Sequence, residues 1–393
     1  MIRRPALLSK PLIFYQLLAS TVNAQNAGGI ILDDAISAGR WTSLFAADGY
    51  PEHSLAVFNT AKGVATDLTG NPWRDGTDAG MRTKVSKIKP IANLAANDIR
   101  GVDASSYLAL KNAGVKYYDF KGRETPLMKV LHDNGVNYLR LLIWNDPKNA
   151  AGKYYGGGNN DVVTDLQIAK EATKYGMKVL LCFHYSDSWA DPGKQILPKA
   201  WKAGVADHVK MRQHVQDFTY QTVKQFVNAG VKVGMVQVGN EITKGAIGIW
   251  GTDWTKVWKN KRQSQLLDSY LKAGVKGVRG AAPKALVAFH LESPDVAKYQ
   301  TIMNDWKRDG VDYDVLGTSF YPFWWNITQR LHDIQNLAAR YGKLFVVLET
   351  AWPHTLQDAD GTANNIGSDT VMPHPYKISP QGQADQLAAM TRL

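Results

Sequence analysis

From Ile99 onward, seven short runs of apolar, strand-forming residues alternate with longer amphipathic stretches, and this alternation limits what the chain can fold into. The runs cover 100–104, 138–144, 178–184, 233–240, 286–291, 315–320 and 344–348. Near-continuous apolar strands separated by helices indicate repeated βα units and a parallel sheet covered on its outer face. A helix over 164–175 places Leu166, Ile168 and Ala169 on one side, and one over 208–229 carries Val215, Phe218, Val223, Phe226 and Val227 as its stripe. Gly176, Gly230 and Gly342 stand where left-handed helix caps are expected. Polar and aromatic residues recur after nearly every run rather than at one switch point, so the α/β architecture that fits is a (β/α)8 barrel of the TIM type.

Eight strands close such a barrel, and only seven runs are visible. After residue 348 there is a loop and the start of a helix over 381–393, so the barrel reads as lacking its eighth strand at the C-terminus. Strand edges on either side of the gap would lie open. Residues 25–98 form a small N-terminal extension of unknown fold, without sustained period and broken by Gly28-Gly29, Gly70-Asn71-Pro72 and Asp75-Gly76. Either this region helps to cover the gap or the protein is a truncated form.

Residues 1–24 have the layout of a secretory signal peptide. Arg3, Arg4 and Lys10 precede the apolar stretch 12–19, and Val22-Asn23-Ala24 supplies small residues at a cleavage point. An ordinary buried N-terminal helix is the alternative. The apolar part is too short to span a bilayer, so a secreted protein, extracellular or periplasmic, is expected. Residues 99–393 then form the barrel domain. Removing the leader takes the formal charge from +11 to +8. Lys and Arg are scattered among acids and no nucleic-acid motif occurs, so the charge reads as solvated surface, with neither a nucleic-acid partner nor a membrane after leader removal. The sequence calls for a monomer without an organic cofactor. The lone cysteine, Cys182, lies in an apolar run and reads as a core residue.

Glu241 and Glu349 each follow a run, the fourth and the seventh. Two carboxylates at the carboxyl ends of barrel strands suit glycosidic-bond cleavage, in which one lends a proton and the other attacks or activates water. Other strand-end residues gather with them: Asp103, Arg140, Trp144, His184, Tyr185, Asp187, Trp189, Asp191, Asn240, His290, Tyr321 and Trp324. Arginine and histidine bias carboxylate ionisation, asparagine reaches a sugar hydroxyl, and aromatic faces stack on rings. Taken singly, Asp103, Asp187 and Asp191 read as solvated loop residues or structural hydrogen-bond partners rather than as functional ones.

Several segments resemble the endo-β-1,4-galactanases of glycoside hydrolase family 53. They are Gly101-Val102-Asp103-Ala104-Ser105-Ser106, Gly156-Gly157-Gly158-Asn159-Asn160-Asp161, the run from Phe183 to Pro192 containing His184-Tyr185-Ser186-Asp187-Ser188-Trp189-Ala190-Asp191, Gln195 with Pro198 and Trp201, Val238-Gly239-Asn240-Glu241-Ile242, and Ser319-Phe320-Tyr321-Pro322-Phe323-Trp324. The likeness runs from about Ile99 to Gln383 and implies a retaining enzyme acting on galactan, with Glu241 as acid/base and Glu349 as nucleophile, carboxyls roughly 5 to 5.5 Å apart. It further implies that Glu349 stays ionised beside Arg140 and Tyr321, that Asn240 holds the sugar 2-hydroxyl, and that Trp189, Trp324 and Trp250 stack on sugar. Leu142 departs from the family, where many relatives carry another arginine. The absent eighth strand is a second departure, and it leaves open a related hydrolase on another β-glycan or a carbohydrate-binding barrel without turnover. Asp358, Asp360, Thr362 and Asn364 present oxygens at alternate positions around Gly361. Such a loop suits calcium, which takes six to eight oxygens, or is a solvated acidic turn. The resemblance favours calcium, with Ser379 contributing.

Overall fold

The computed structural model describes residues 98–391 apart from 113–115, 118, 120–122, 157, 325–327, 354–355 and 357–374, together with three short strands nearer the N-terminus. Those three are β1 (Leu12–Gln16) and an antiparallel pair, β2 (Val57–Asn59) with β3 (Val64–Thr66). The seven expected strands follow as β4 (Arg100–Asp103), β5 (Tyr138–Ile143), β6 (Lys178–Phe183), β7 (Val233–Val238), β10 (Leu286–Leu291), β11 (Val315–Ser319) and β12 (Leu344–Glu349). Between β7 and β10 a small antiparallel hairpin is formed by β8 (Gly245–Ala246) and β9 (Ile249–Trp250).

The seven large strands pair in parallel in sequence order and curl into a barrel wall. No described strand follows β12. The place between β12 and β4 is taken by β1, with Leu12 opposite Val346 and Gln16 opposite Asp103. The barrel is thereby closed by the apolar segment that reads in sequence as a leader.

The helices are α1 (Tyr107–Asn112), α2 (Leu127–Asp133), α3 (Val162–Lys174), α4 (His208–Asn228), α5 (Thr255–Trp258), α6 (Lys261–Ala281), α7 (Val296–Arg308), α8 (Thr328–Arg340) and α9 (Pro380–Thr391). Aspartates cap α3, α4 and α7 by accepting backbone N–H groups of the first turn. Gly176, Gly230 and Gly342 have φ of 91°, 81° and 68°, the left-handed geometry their positions call for. On α3 the buried face is Ile168, Ala169 and Ala172, and on α4 it includes Met211, Val215, Val223 and Phe226.

Two apolar clusters follow from strand alternation. Val102, Leu139, Leu141, Leu181, Val236, Phe289, Leu316 and Val347 point outward to the helices. Tyr138, Leu142, Leu180, Cys182, Met235, Ala288, Val315, Val346 and Leu348 fill the barrel interior. Leu142, where family members were expected to carry arginine, is thus a packed interior residue. Gly317 admits Leu348 to that layer, since a Cβ there would lie 2.1 Å from Leu348 Cδ1. Simple alternation would turn Glu349 outward, because Leu344, Val346 and Leu348 face in. A register shift intervenes, with Thr318 opposite Val347 but Ser319 opposite Glu349. The extra residue re-aims the carboxylate, as bulges near active sites do.

Candidate active site

Arg140 stands on β5 inside the barrel with no exposure. Its guanidinium donates to Asp103 Oδ2 at 2.9 Å, to Glu349 Oε1 at 2.8 Å and to Asn240 Oδ1 at 2.8 Å, with longer bonds to Gln237 and Cys182, both at 3.3 Å. A buried cation is tolerable when its fork of donors is met this fully. Asp103 is itself fixed, because its other oxygen accepts from the backbone N–H and hydroxyl of Ser105. Its place is therefore behind Arg140, holding it. Cys182 is a buried neutral thiol, pushed up to about 12 by burial against the pull of Arg140.

Glu349 receives a second hydrogen bond, from the Tyr321 hydroxyl at 3.0 Å. Burial raises its pKa, while Arg140 and the Tyr321 bond work in the opposite sense. Among the described residues, no ion pair joins Glu241 to a cation. Burial first, then the Glu349 charge, hold its pKa well above the ordinary carboxylate range. The Glu349 charge thus opposes ionisation of Glu241, and neighbouring carboxyls of this kind lose their protons as a pair. Glu241 also has an unusual backbone, at φ 48° and ψ 52°, as does Tyr185 at φ 49°. A non-glycine residue in the left-handed region costs on the order of 1 kcal/mol and turns up at functional sites.

Three uncharged side chains position this pair. Asn240 accepts from Arg140 and from Gln237, and its amide donates to the Ala190 carbonyl at 2.8 Å. His290 lies fully buried between Gln237, Asn240 and Ser319. Ser319 donates to Glu241 Oε1 at 2.6 Å. Ser319 and Gln237 were not singled out in sequence, although Ser319 ends β11 two residues before Tyr321 and Gln237 lies near the end of β7, four residues before Glu241. Burial lowers the pKa of both His184 and His290 far enough to keep them neutral.

The aromatic residues divide. Trp144 is fully buried, with its ring edge-on to Trp189 at 5.3 Å and to His184 at 6.2 Å, so it backs the wall rather than offering a face. Trp189 is half-buried in front of it. Trp324 is 47% exposed and packs edge-on against Tyr321, the residue bonded to Glu349. Trp250 is 42% exposed on the β8–β9 hairpin just beyond Glu241. Tyr185 is buried, its hydroxyl against Thr219. Asp187 latches loops, accepting from the backbone of Asp146 and Lys199. Asp191 closes a turn onto Gly193 N–H at 2.7 Å. Asp358, Asp360, Thr362 and Asn364 lie outside the described residues; Ser379 accepts from Gly382 N–H at the start of α9.

A parallel barrel with a buried carboxyl pair at the carboxyl ends of its strands, one member hydrogen-bonded to arginine and the other pushed by burial above the ordinary carboxylate range, is the arrangement of the glycoside hydrolase class. The sequence model of glycosyl hydrolase family 53 matches residues 99–393, and the chain belongs to that family. It is a hydrolase of O-glycosyl bonds. It is 39% identical over 327 residues to the endo-beta-1,4-galactanase of Bacillus subtilis (strain 168), covering 79% of this chain and 73% of that protein. It is 33% identical over 300 residues to the arabinogalactan endo-beta-1,4-galactanase of Cellvibrio japonicus, covering 75% and 76%. Among solved structures, the Ignisphaera aggregans GH53 catalytic domain superposes with a TM-score of 0.71 at 36% identity, over 79% of this chain and 84% of that one.

Proposed function

We propose that this protein is a retaining endo-β-1,4-galactanase, with Glu241 as general acid and base and Glu349 as nucleophile. The observation that carries the reading is the division of labour in the carboxyl pair. Arg140 and Tyr321 donate to Glu349 and favour its ionised form, whereas Glu241 receives one neutral hydroxyl and is displaced further towards protonation. In the first step Glu349 attacks the anomeric carbon as Glu241 protonates the departing oxygen. In the second, Glu241 takes a proton from water, which releases the sugar from Glu349. Trp189, Trp250 and Trp324 supply stacking faces along the cleft, and the buried Trp144 and His184 support the first of these. Asn240 turns its amide towards Ala190 and serves the reaction chiefly by positioning Arg140.

Galactan is favoured as substrate by relatives named galactanase that share 30% identity or more over most of the chain. Action on galactan side chains of pectin and export from the cell extend the same reading; the layout of residues 1–24 suits a leader, whose cleavage would remove β1 from the barrel. No described helix is long and apolar enough to cross a membrane. Calcium at Asp358, Asp360, Thr362 and Asn364 stays a proposal supported by their oxygen-bearing spacing. Reducing-sugar release from β-1,4-galactan, mannan and xylan tests the assignment. Galactan should be cut at least 100-fold faster than the others; equal or faster release from mannan or xylan would assign another β-glycan.

A further inference from the structure

Resting on the reading of Glu241 as acid/base, we infer that His290 and Ser319 form a one-way hydrogen-bond chain that fixes which oxygen of Glu241 carries the catalytic proton. The direction follows from a donor that cannot reverse. His290 Nδ1 faces the backbone N–H of Glu241 at 3.4 Å and the Gln237 amide nitrogen at 3.1 Å. A backbone N–H only donates, and together with the Gln237 amide it assigns Nδ1 as the unprotonated nitrogen. Asn240 Oδ1 also lies 3.0 Å from Nδ1, but it already accepts from Arg140 and Gln237 and does not call for a proton there.

Buried beside the Arg140 charge, His290 is neutral and carries its single proton on Nε2. That nitrogen lies 2.9 Å from Ser319 Oγ and donates to it. The Ser319 hydroxyl, buried, then has one acceptor left, Glu241 Oε1 at 2.6 Å. Oε1 is thereby occupied as an acceptor, and the proton of the acid form resides on Oε2. Because the Glu241 N–H continues to face Nδ1, the chain keeps this direction when Glu241 becomes a carboxylate, and the same hydroxyl meets the returning charge.

The other groups around Glu241 come from several elements. Glu349 of β12 and Glu292 beyond β10 bear on it, as does Asp191 of the loop after β6, and all three oppose its ionisation. Tyr299 of α7 and Tyr321 beyond β11 also sense its charge. The Ser319 bond acts against this set and favours the carboxylate. Ser319 is therefore a positioning residue with a defined effect on pH dependence. Removing its hydroxyl raises the pKa of Glu241, and loss of the acid form is postponed to higher pH.

The test is the pH profile of kcat/KM on galactan for the parent, Ser319→Ala, Ser319→Cys and Ser319→Thr. Loss of a hydrogen bond to a charged group corresponds to about one pH unit. The alkaline limb should move up by about that much in Ser319→Ala, part of the way in Ser319→Cys, and stay in place in Ser319→Thr, with the acid limb unmoved throughout. An unmoved alkaline limb in a folded Ser319→Ala or Ser319→Cys enzyme overturns the proposal. Glu241→Ala assayed on an activated aryl β-galactobioside with azide separates the two layers. Azide rescue with unmoved Ser319 profiles sinks the chain alone; absence of rescue removes the acid/base reading and the chain with it.

Discussion

Replacing Arg140 by lysine keeps a positive charge in the barrel and loses its shape. The guanidinium meets Asp103, Asn240 and Glu349 at once, at 2.8 to 2.9 Å, and a single ammonium on a flexible stem cannot span them. Glu349 would then lose its directed partner. Arg140→Lys should lower kcat on galactan at least ~100-fold, about 3 kcal/mol in the barrier, with a smaller change in KM. Steady-state kinetics beside a melting curve checks this, and a kcat within tenfold of the parent contradicts it. At this scale the sequence exposes residues that follow a strand, because position alone gives them a shared mouth. It conceals Ser319 and Gln237, whose roles come from hydrogen bonds between β7, β10 and β11. It also conceals the facing of Glu349, which depends on a register shift rather than on alternation.

Strands buried on both faces leave a strong trace in composition, and the seven expected runs correspond to β4–β7 and β10–β12 with ends that differ by no more than two residues. Helix stripes and glycine caps were equally legible, since both are local. The eighth strand was not. A short apolar segment followed by small residues satisfies the requirements of a leader and of a strand alike, and only pairing with β12 and β4 distinguishes them. The two roles also exclude each other after cleavage, because β1 lies inside residues 1–24. A chain beginning at Gln25 leaves β12 and β4 with open edges. It should melt at least ~5 °C below the full chain and aggregate more readily, given that about 1 kcal/mol shifts the midpoint of a large domain by a few degrees. Equal melting temperatures would mean that β1 contributes nothing to closure.

Across the whole molecule, the barrel converts sequence distance into proximity. Glu241 and Glu349 are separated by more than a hundred positions, yet one hydrogen-bonded network reaches both, through Arg140, Gln237, His290 and Ser319. The interior layer of Leu180, Met235, Ala288, Val315 and Val346 supports that network from below, which is why function concentrates at one end of the scaffold and packing at the other. The central claim is that Glu349 forms a covalent bond to sugar while Glu241 does not. Incubation with a 2-deoxy-2-fluoro β-galactobiosyl fluoride, which slows release of the glycosyl-enzyme, followed by peptide mass spectrometry reads this directly. The account predicts one label per chain on the peptide containing Glu349; a label on Glu241, or no covalent adduct during turnover of the reagent, would contradict it.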